Sequence, residues 1–313
     1  MKINIHVPAT SANLGPGFDT LGLALDLWNV TTISPAKEFS VQVTGEGAGR
    51  LASGKNNLIV RAAQRLAEHA GKSLPPFHAE CANQIPLSSG MGSSSAAILT
   101  GLLAGNALLE NPFSREEILN LACEMEGHPD NVAPAMMGGL VVSTVEGGKV
   151  IARQISIMGE QGDHRSQGGH VGPPLRVTIA LPNFYLPTKQ ARAALPKKVS
   201  MRNAIHNISR TALVIEALRV GDLELLGKVM SDKLHQPYRL KLIPGAASAM
   251  DAAKEAGASA VALSGAGPSV IAFSTGEAGV GESMKRAYKA AGVEARIFRL
   301  GVSSRGAELG SRE

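Results

Sequence analysis

Aromatic residues are scarce in this chain: seven Phe, three Tyr and one Trp make up 4% of its 313 residues. So few flat rings argue against a stacking platform for single-stranded nucleic acid. Cysteine is scarcer still. Cys81 and Cys123 lie far apart with no metal-ligand spacing, and read as two reduced thiols of a cytosolic protein. No apolar run approaches the ~18 residues of a membrane span, and the N-terminus carries no signal-peptide core. The expected location is the cytoplasm, with no membrane partner. Charge of one sign is also modest. A net +5 admits an anionic ligand, but the basic residues are scattered, with no run longer than Lys197-Lys198. That suits small phosphorylated molecules rather than a nucleic-acid face.

What the chain does have is apolar content, at 44%, and glycine in pointed places. The stretch Pro86-Leu87-Ser88-Ser89-Gly90-Met91-Gly92-Ser93-Ser94-Ser95-Ala96-Ala97 leads into a small, apolar, helix-like run. The first N–H groups of a helix have no intrahelical partner, and its dipole adds partial positive charge there. Glycine lets the backbone approach a bulky phosphate, and serine hydroxyls bond phosphate oxygens or reach a magnesium ion. No Gly-Lys-Ser/Thr follows, so this is not a Walker A loop. An ordinary capped helix start is the alternative.

Strands are expected over residues 2–7, 21–28, 30–33, 39–43 and 77–83, from alternation or apolar character. Asn57 caps a helix, and Ser114-Arg115-Glu116-Glu117 forms a capping box for another ending near Glu126. Residues 8–19 are too rich in Gly, Pro and small polar groups for regular structure. They read as a functional loop or as a Pro-Gly turn with Asn13 and Asp19 in Asx-turns. Residues 124–135 pack polar groups densely, either as a helix C-terminus with an Asx-turn around Pro129 or as catalytic groups. Gly147-Gly148 marks a hairpin. Residues 159–174 read as a mobile loop at a domain boundary, where His164 and His170 are solvated rather than metal-binding. Beyond it come strands at 175–181, 258–263, 269–274 and 295–300. Helices are expected at 201–219, 223–233, 245–256 and 280–291, followed by a frayed tail from Ser303. Without strict βαβ alternation, this pattern favours two α+β lobes.

Residues 8–19, 86–97 and Leu263-Ser264-Gly265-Ala266-Gly267-Pro268-Ser269 resemble, in order and spacing, the three signature motifs of the GHMP kinases. Residues 8–19 and 128–135, and Ser231-Asp232-Lys233 leading to Arg239 and Pro244, resemble the branch of that superfamily that phosphorylates homoserine. The resemblance covers nearly the whole chain. It implies an N-terminal ribosomal-protein-like α+β lobe (1–170), a ferredoxin-like C-terminal lobe (171–313), and a cleft between them. It also implies transfer of the ATP γ-phosphoryl group to the side-chain hydroxyl of L-homoserine, a step towards threonine. The expected partners are those two small molecules; a homodimer is allowed but not indicated.

Carried over residue by residue, the resemblance makes residues 86–96 the ATP loop, with Asn57 at the adenine or its sugar. Ser94 and Glu124 become the magnesium ligands. Glu126 is a rival, and a spacing of two on a helix lets only one of these carboxylates face the cleft. Asp19 matches the partner of the substrate ammonium, and Arg192 and Arg239 match the partners of its carboxylate. Asn13 and Asn131 match the asparagines near the reacting hydroxyl, with Thr188 beside them. Mevalonate- and galactose-type members carry an aspartate where this chain has Asn131. An amide cannot take a proton as a base does, so no side-chain general base is expected, and Asp130 is expected to be structural.

Overall fold

The computed structural model describes residues 2–157, 175–276 and 279–310. The expected loop at 159–174 and the division at 170/171 lie outside them.

The N-terminal half begins with β1 (Ile3–Ala12) and β2 (Leu21–Pro35), an antiparallel pair. Then come β3 (Ser40–Gly45), α1 (Leu58–His69), β4 (Phe77–Asn83), α2 (Ser93–Leu108), α3 (Arg115–Glu126) and α4 (Pro129–Met137). The hairpin β5 (Leu140–Glu146) and β6 (Lys149–Ile155) completes this half. Its sheet runs β1-β2-β4-β3, with β5 on the other end of β2. A last short strand, β11 (Glu308–Leu309), returns to pair with β1 along its free edge. That pairing gives order to a tail expected to fray, and it covers an edge that would otherwise expose unpaired backbone.

Two departures from expectation have clear causes. β1 continues through Pro8, because the ladder shifts register between Pro8 and Ala9, where the missing N–H costs nothing. β2 is one strand rather than two. Asn29, which interrupts its apolar pattern, is buried, and its carbonyl accepts from the Gln84 and Ile85 N–H groups. A polar residue inside the strand thus anchors the chain that enters the glycine loop. A third departure is α4, which starts with Pro129 at its first position, where no intrahelical N–H is needed.

The C-terminal half opens with β7 (Arg176–Pro182). The helices α5 (Thr188–Ala193), α6 (Met201–Val220), α7 (Leu223–Val229), α8 (Gln236–Arg239) and α9 (Ala246–Glu255) follow. Then come β8 (Ala260–Leu263), β9 (Val270–Ser274), α10 (Val280–Ala290) and β10 (Ala295–Leu300). The antiparallel sheet has the order β10-β7-β9-β8, the strand arrangement of a ferredoxin-like split βαβ. α7 stops at Val229, short of the expected Lys233, and α5 and α8 were not foreseen.

α2 is apolar nearly all round and buried along most of its length, as a central helix must be. One apolar cluster packs it against α1, α3, β1 and β2 and continues into Val177, Ile179 and Phe273 of the smaller sheet. A second cluster fills the space between that sheet, α9 and α10. The glycine loop is therefore rooted in a helix buried along most of its length.

Candidate active site

No side chain caps α2; its cap residue Gly92 is left-handed, at φ 75°. Gly90 is left-handed too, and a Cβ there would lie 2.2 Å from the Ser264 carbonyl oxygen. Gly90 brings the loop against the third motif and Gly92 brings it against Thr10 of the first, and the first turn of α2 is left open to an anion. The loop's other residues divide by role. The Ser89 hydroxyl donates to the Pro86 carbonyl and accepts from the Met91 N–H, which staples the turn. Met91 and Ala96 were expected at ATP, but their side chains lie in the core, and the Ala96 N–H is taken by the Gly92 carbonyl. Ser95 is buried, and its hydroxyl has no partner among the described residues. Ser93 and Ser94 line both spaces that flank the helix start.

One of those spaces is a pocket of about 340 Å³ between the loop and the start of α1. Pro86 lies outside it, while Leu87 and Ser88 form part of its wall. Asn57 also lines it, but its amide is engaged: the oxygen caps the Ile59 N–H and the nitrogen donates to the Ala52 carbonyl. The residue expected at the adenine is thus, first of all, a helix cap.

The other space is a cleft of about 250 Å³, where the three motifs meet. The Gly265 N–H donates to the Ala12 carbonyl, and Ser264 Oγ donates to the Gly90 carbonyl and accepts from Ser11 Oγ. Asn13 links the first motif to the third: its nitrogen donates to the Gly265 carbonyl at 2.8 Å, and its oxygen accepts the Asp19 N–H. Asn13, Leu14, Asp19 and Ser88 all have left-handed φ without being glycine, a strain that gathers at functional sites. Thr10 Oγ1 donates to Asn131 Oδ1 at 2.8 Å. The Asn131 carbonyl is occupied, so its NH2 group is what remains for the cleft it lines.

The charged groups lie on one wall. Arg192 donates from both terminal nitrogens to the Asp19 carboxylate, at 2.9 and 3.0 Å. Burial opposes the Arg192 charge, but Asp19 outweighs it and raises its pKa. Arg239 is 1% exposed, and Phe18 offers its ring face to both guanidiniums, at 5.2 Å from Arg239 and 5.8 Å from Arg192. Burial, and then the neighbouring Arg192, bring the Arg239 pKa down to about 10, so it stays charged at neutral pH. Among the described residues, its Nε has no hydrogen-bond partner. A buried, charged and incompletely bonded guanidinium costs free energy unless a ligand completes it.

At the loop mouth, Ser94 Oγ donates to Glu126 Oε2 at 2.9 Å. Glu126 lines the cleft, while Glu124 points away and pairs with Arg65 at 2.7 Å. Of the two carboxylates expected as rivals for magnesium, Glu126 lines the cleft and Glu124 does not. Asp130 is 1% exposed and holds His128 Nδ1 at 2.6 Å. Thr188 opens α5 on the cleft wall beside Tyr185 and Leu186.

Of the expected site, Asn13, Asp19, Asn131, Thr188, Arg192, Arg239 and the loop from Ser88 to Ser94, apart from Met91, are brought together. Gly265, Gly267 and Phe18 were not among the residues expected at the site, and His128, weighed in the sequence between a helix end and catalysis, lines the cleft. The third motif was visible in the sequence without a role, and Phe18 stands beside Asp19.

The family description "GHMP kinases N terminal domain" matches residues 57–139, and "GHMP kinases C terminal" matches residues 214–292. A homoserine kinase of Moorella thermoacetica is 45% identical over 97% of this chain and 98% of its own length. One from Carboxydothermus hydrogenoformans is 41% identical over 97% and 95%. The crystal structure of homoserine kinase from Cytophaga hutchinsonii superposes with a TM-score of 0.83 at 29% identity, covering 98% of this chain and 97% of that one. The chain belongs to the GHMP kinases, within their homoserine kinase branch.

Proposed function

We propose that this chain transfers the γ-phosphoryl group of ATP to the side-chain hydroxyl of L-homoserine. The observation that carries the reading is the charged wall. Two arginines share the Phe18 ring, one of them buried with an unpartnered Nε, and Asp19 stands beside them. A zwitterionic amino acid suits that wall, its ammonium going to Asp19 and its carboxylate to the arginines. Its arrival replaces part of the Asp19–Arg192 pair with new pairs of the same kind.

ATP phosphates suit the open first turn of α2, with the base in the neighbouring pocket. Ser94 and Glu126 present two hard oxygen donors to the same mouth, which fits a magnesium ion that takes its remaining ligands from phosphates and water. Bound there, magnesium would neutralise phosphate charge. Among the described residues, no group of three or more His, Cys, Asp or Glu forms a metal cage, which accords with an ion carried by the nucleotide.

Phosphoryl transfer asks the protein for positioning and charge stabilisation. Asn131 donates from its amide and takes no proton. Asp130 is engaged by His128 and almost wholly buried. The proton of the attacking hydroxyl therefore passes to a phosphate oxygen or to water. Substrate choice follows from the same wall: mevalonate, a sugar or shikimate has no ammonium for Asp19. A coupled ADP-release assay over L-homoserine, mevalonate, galactose and shikimate tests the reading. Turnover of L-homoserine alone supports it; turnover of another substrate without L-homoserine overturns it.

A further inference from the structure

His235 belongs to none of the groups assigned so far. It is wholly buried, one helical turn before Arg239, and in contact with two parts of the site. Its Nε2 lies 2.8 Å from the Gly15 carbonyl oxygen, in the first motif. Its Nδ1 lies 3.1 Å from Arg239 Nη1. Its ring stacks on Phe18, with centroids 5.3 Å apart and planes 23° from parallel.

These contacts fix its protonation. A guanidinium only donates and a carbonyl only accepts. Nδ1 must therefore be bare and Nε2 must carry the proton, which makes a neutral imidazole of one tautomer. The backbone around it is set by Asp232, whose carboxylate accepts the N–H groups of Leu234, His235 and Gln236 and the amide of Asn207.

The consequence lies in Arg239. Nη1 is held by His235 and, at 3.3 Å, by the Gly265 carbonyl. Nε has no partner, and Nη2 has none among the described residues. Nε and Nη2 lie on one edge of the guanidinium and form a fork that matches a carboxylate. We propose that His235 is a positioning residue for the substrate carboxylate. By binding Nη1 and donating to Gly15, it keeps the Nε–Nη2 fork of Arg239 free and ties it to the first-motif turn that carries Phe18 and Asp19. This rests on the amino-acid reading above.

Two variants separate its two bonds. In His235→Asn the side-chain oxygen stands near the place of Nδ1, keeping the acceptor for Arg239 and losing the bond to Gly15. In His235→Gln the terminal amide nitrogen stands near the place of Nε2, keeping the bond to Gly15 and losing the acceptor. With the full chain and Mg-ATP, His235→Gln is expected to raise KM for L-homoserine about tenfold, the size of one lost charge-assisted hydrogen bond. KM for ATP should not move. His235→Asn, which keeps the acceptor for Arg239, should raise KM for L-homoserine less than His235→Gln does, while melting at a lower temperature than the wild type. Equal KM changes in the two variants, or a parallel change in KM for ATP, overturn the proposal. Long-range 1H–15N spectra of the wild-type ring give a second readout that needs no variant to fold. The proton is expected on Nε2 with Nδ1 bare, and a proton on Nδ1 overturns the proposal. If the wild type fails to use L-homoserine, the substrate reading falls by itself, and the tautomer still decides whether His235 holds Arg239 as described.

Discussion

At the residue scale, the cleft works through hydrogen-bond direction as much as through charge. Thr10 binds the Asn131 carbonyl and leaves its NH2 group for the cleft, and His128 occupies Asp130. Asp130→Asn should therefore lower kcat by less than about tenfold, whereas loss of a general base costs about 10²–10⁴-fold. Steady-state rates at saturating L-homoserine distinguish the two. His235 sets a pH signature. Burial first, and then the Arg239 charge, hold its pKa below the ordinary value despite Asp232, so the folded protein keeps it neutral. Below about pH 6.5 the unfolded chain binds this proton and the folded chain does not, so stability falls with pH there. Asp19, Arg239 and Asp232 face the same ring, and Asp232, held below its ordinary value, protonates in a more acidic window. The melting temperature of the wild type should fall further than that of His235→Asn between about pH 7.5 and 5.5. Parallel curves would contradict a neutral buried His235. Most of these residues were legible because they sit in motifs whose residue types match the chemistry. His235 was not, although its spacing of four from Arg239 puts both on one helix face. Nothing in a sequence shows that a carbonyl from Gly15 will meet its other nitrogen.

At the element scale, α2 and α3 set the phosphate end. The two candidate carboxylates on α3 were two residues apart, and sequence alone left the choice open. The structure separates them by face, Glu126 to Ser94 and Glu124 to Arg65. Glu126→Gln should raise the magnesium concentration needed for half-maximal rate, and Glu124→Gln should leave it unchanged, as read by magnesium titration at fixed ATP. The glycine loop makes a second demand. An alanine at Gly90 brings a Cβ into the Ser264 carbonyl, at a φ that side chains rarely adopt. Gly90→Ala should destabilise by about 1–3 kcal/mol and raise KM for ATP, measured by thermal melting and initial rates. Helices with caps, such as α1 and α3, were visible in the sequence because Asn57 and Ser114 announce them. β1 and β2 were misjudged at Pro8 and Asn29, where the long-range partners of the backbone overrode local propensity. α4 was hidden by a proline that is harmless at a first helical position.

At the scale of the whole molecule, two sheets of different origin along the chain are joined through the third motif. Ser264 and Gly265 reach across to Ser11, Ala12, Asn13 and Gly90, so the phosphate loop and the amino-acid wall are held in one frame. The sequence pattern indicated two α+β lobes, but the strand order of either sheet depends on long-range pairings, such as Ile5 with Leu309 and Ala295 with Pro182, and was implied only by resemblance. The frame suits phosphoryl transfer, which asks for donor and acceptor to be fixed side by side. The most direct measurement is product identity. The chain is incubated with Mg-ATP and L-homoserine, and the mixture is analysed by mass spectrometry and 31P NMR. O-phospho-L-homoserine is expected, formed in step with ADP. ADP release with no phosphorylated homoserine, or no reaction with L-homoserine while another hydroxyl compound is phosphorylated, would contradict it.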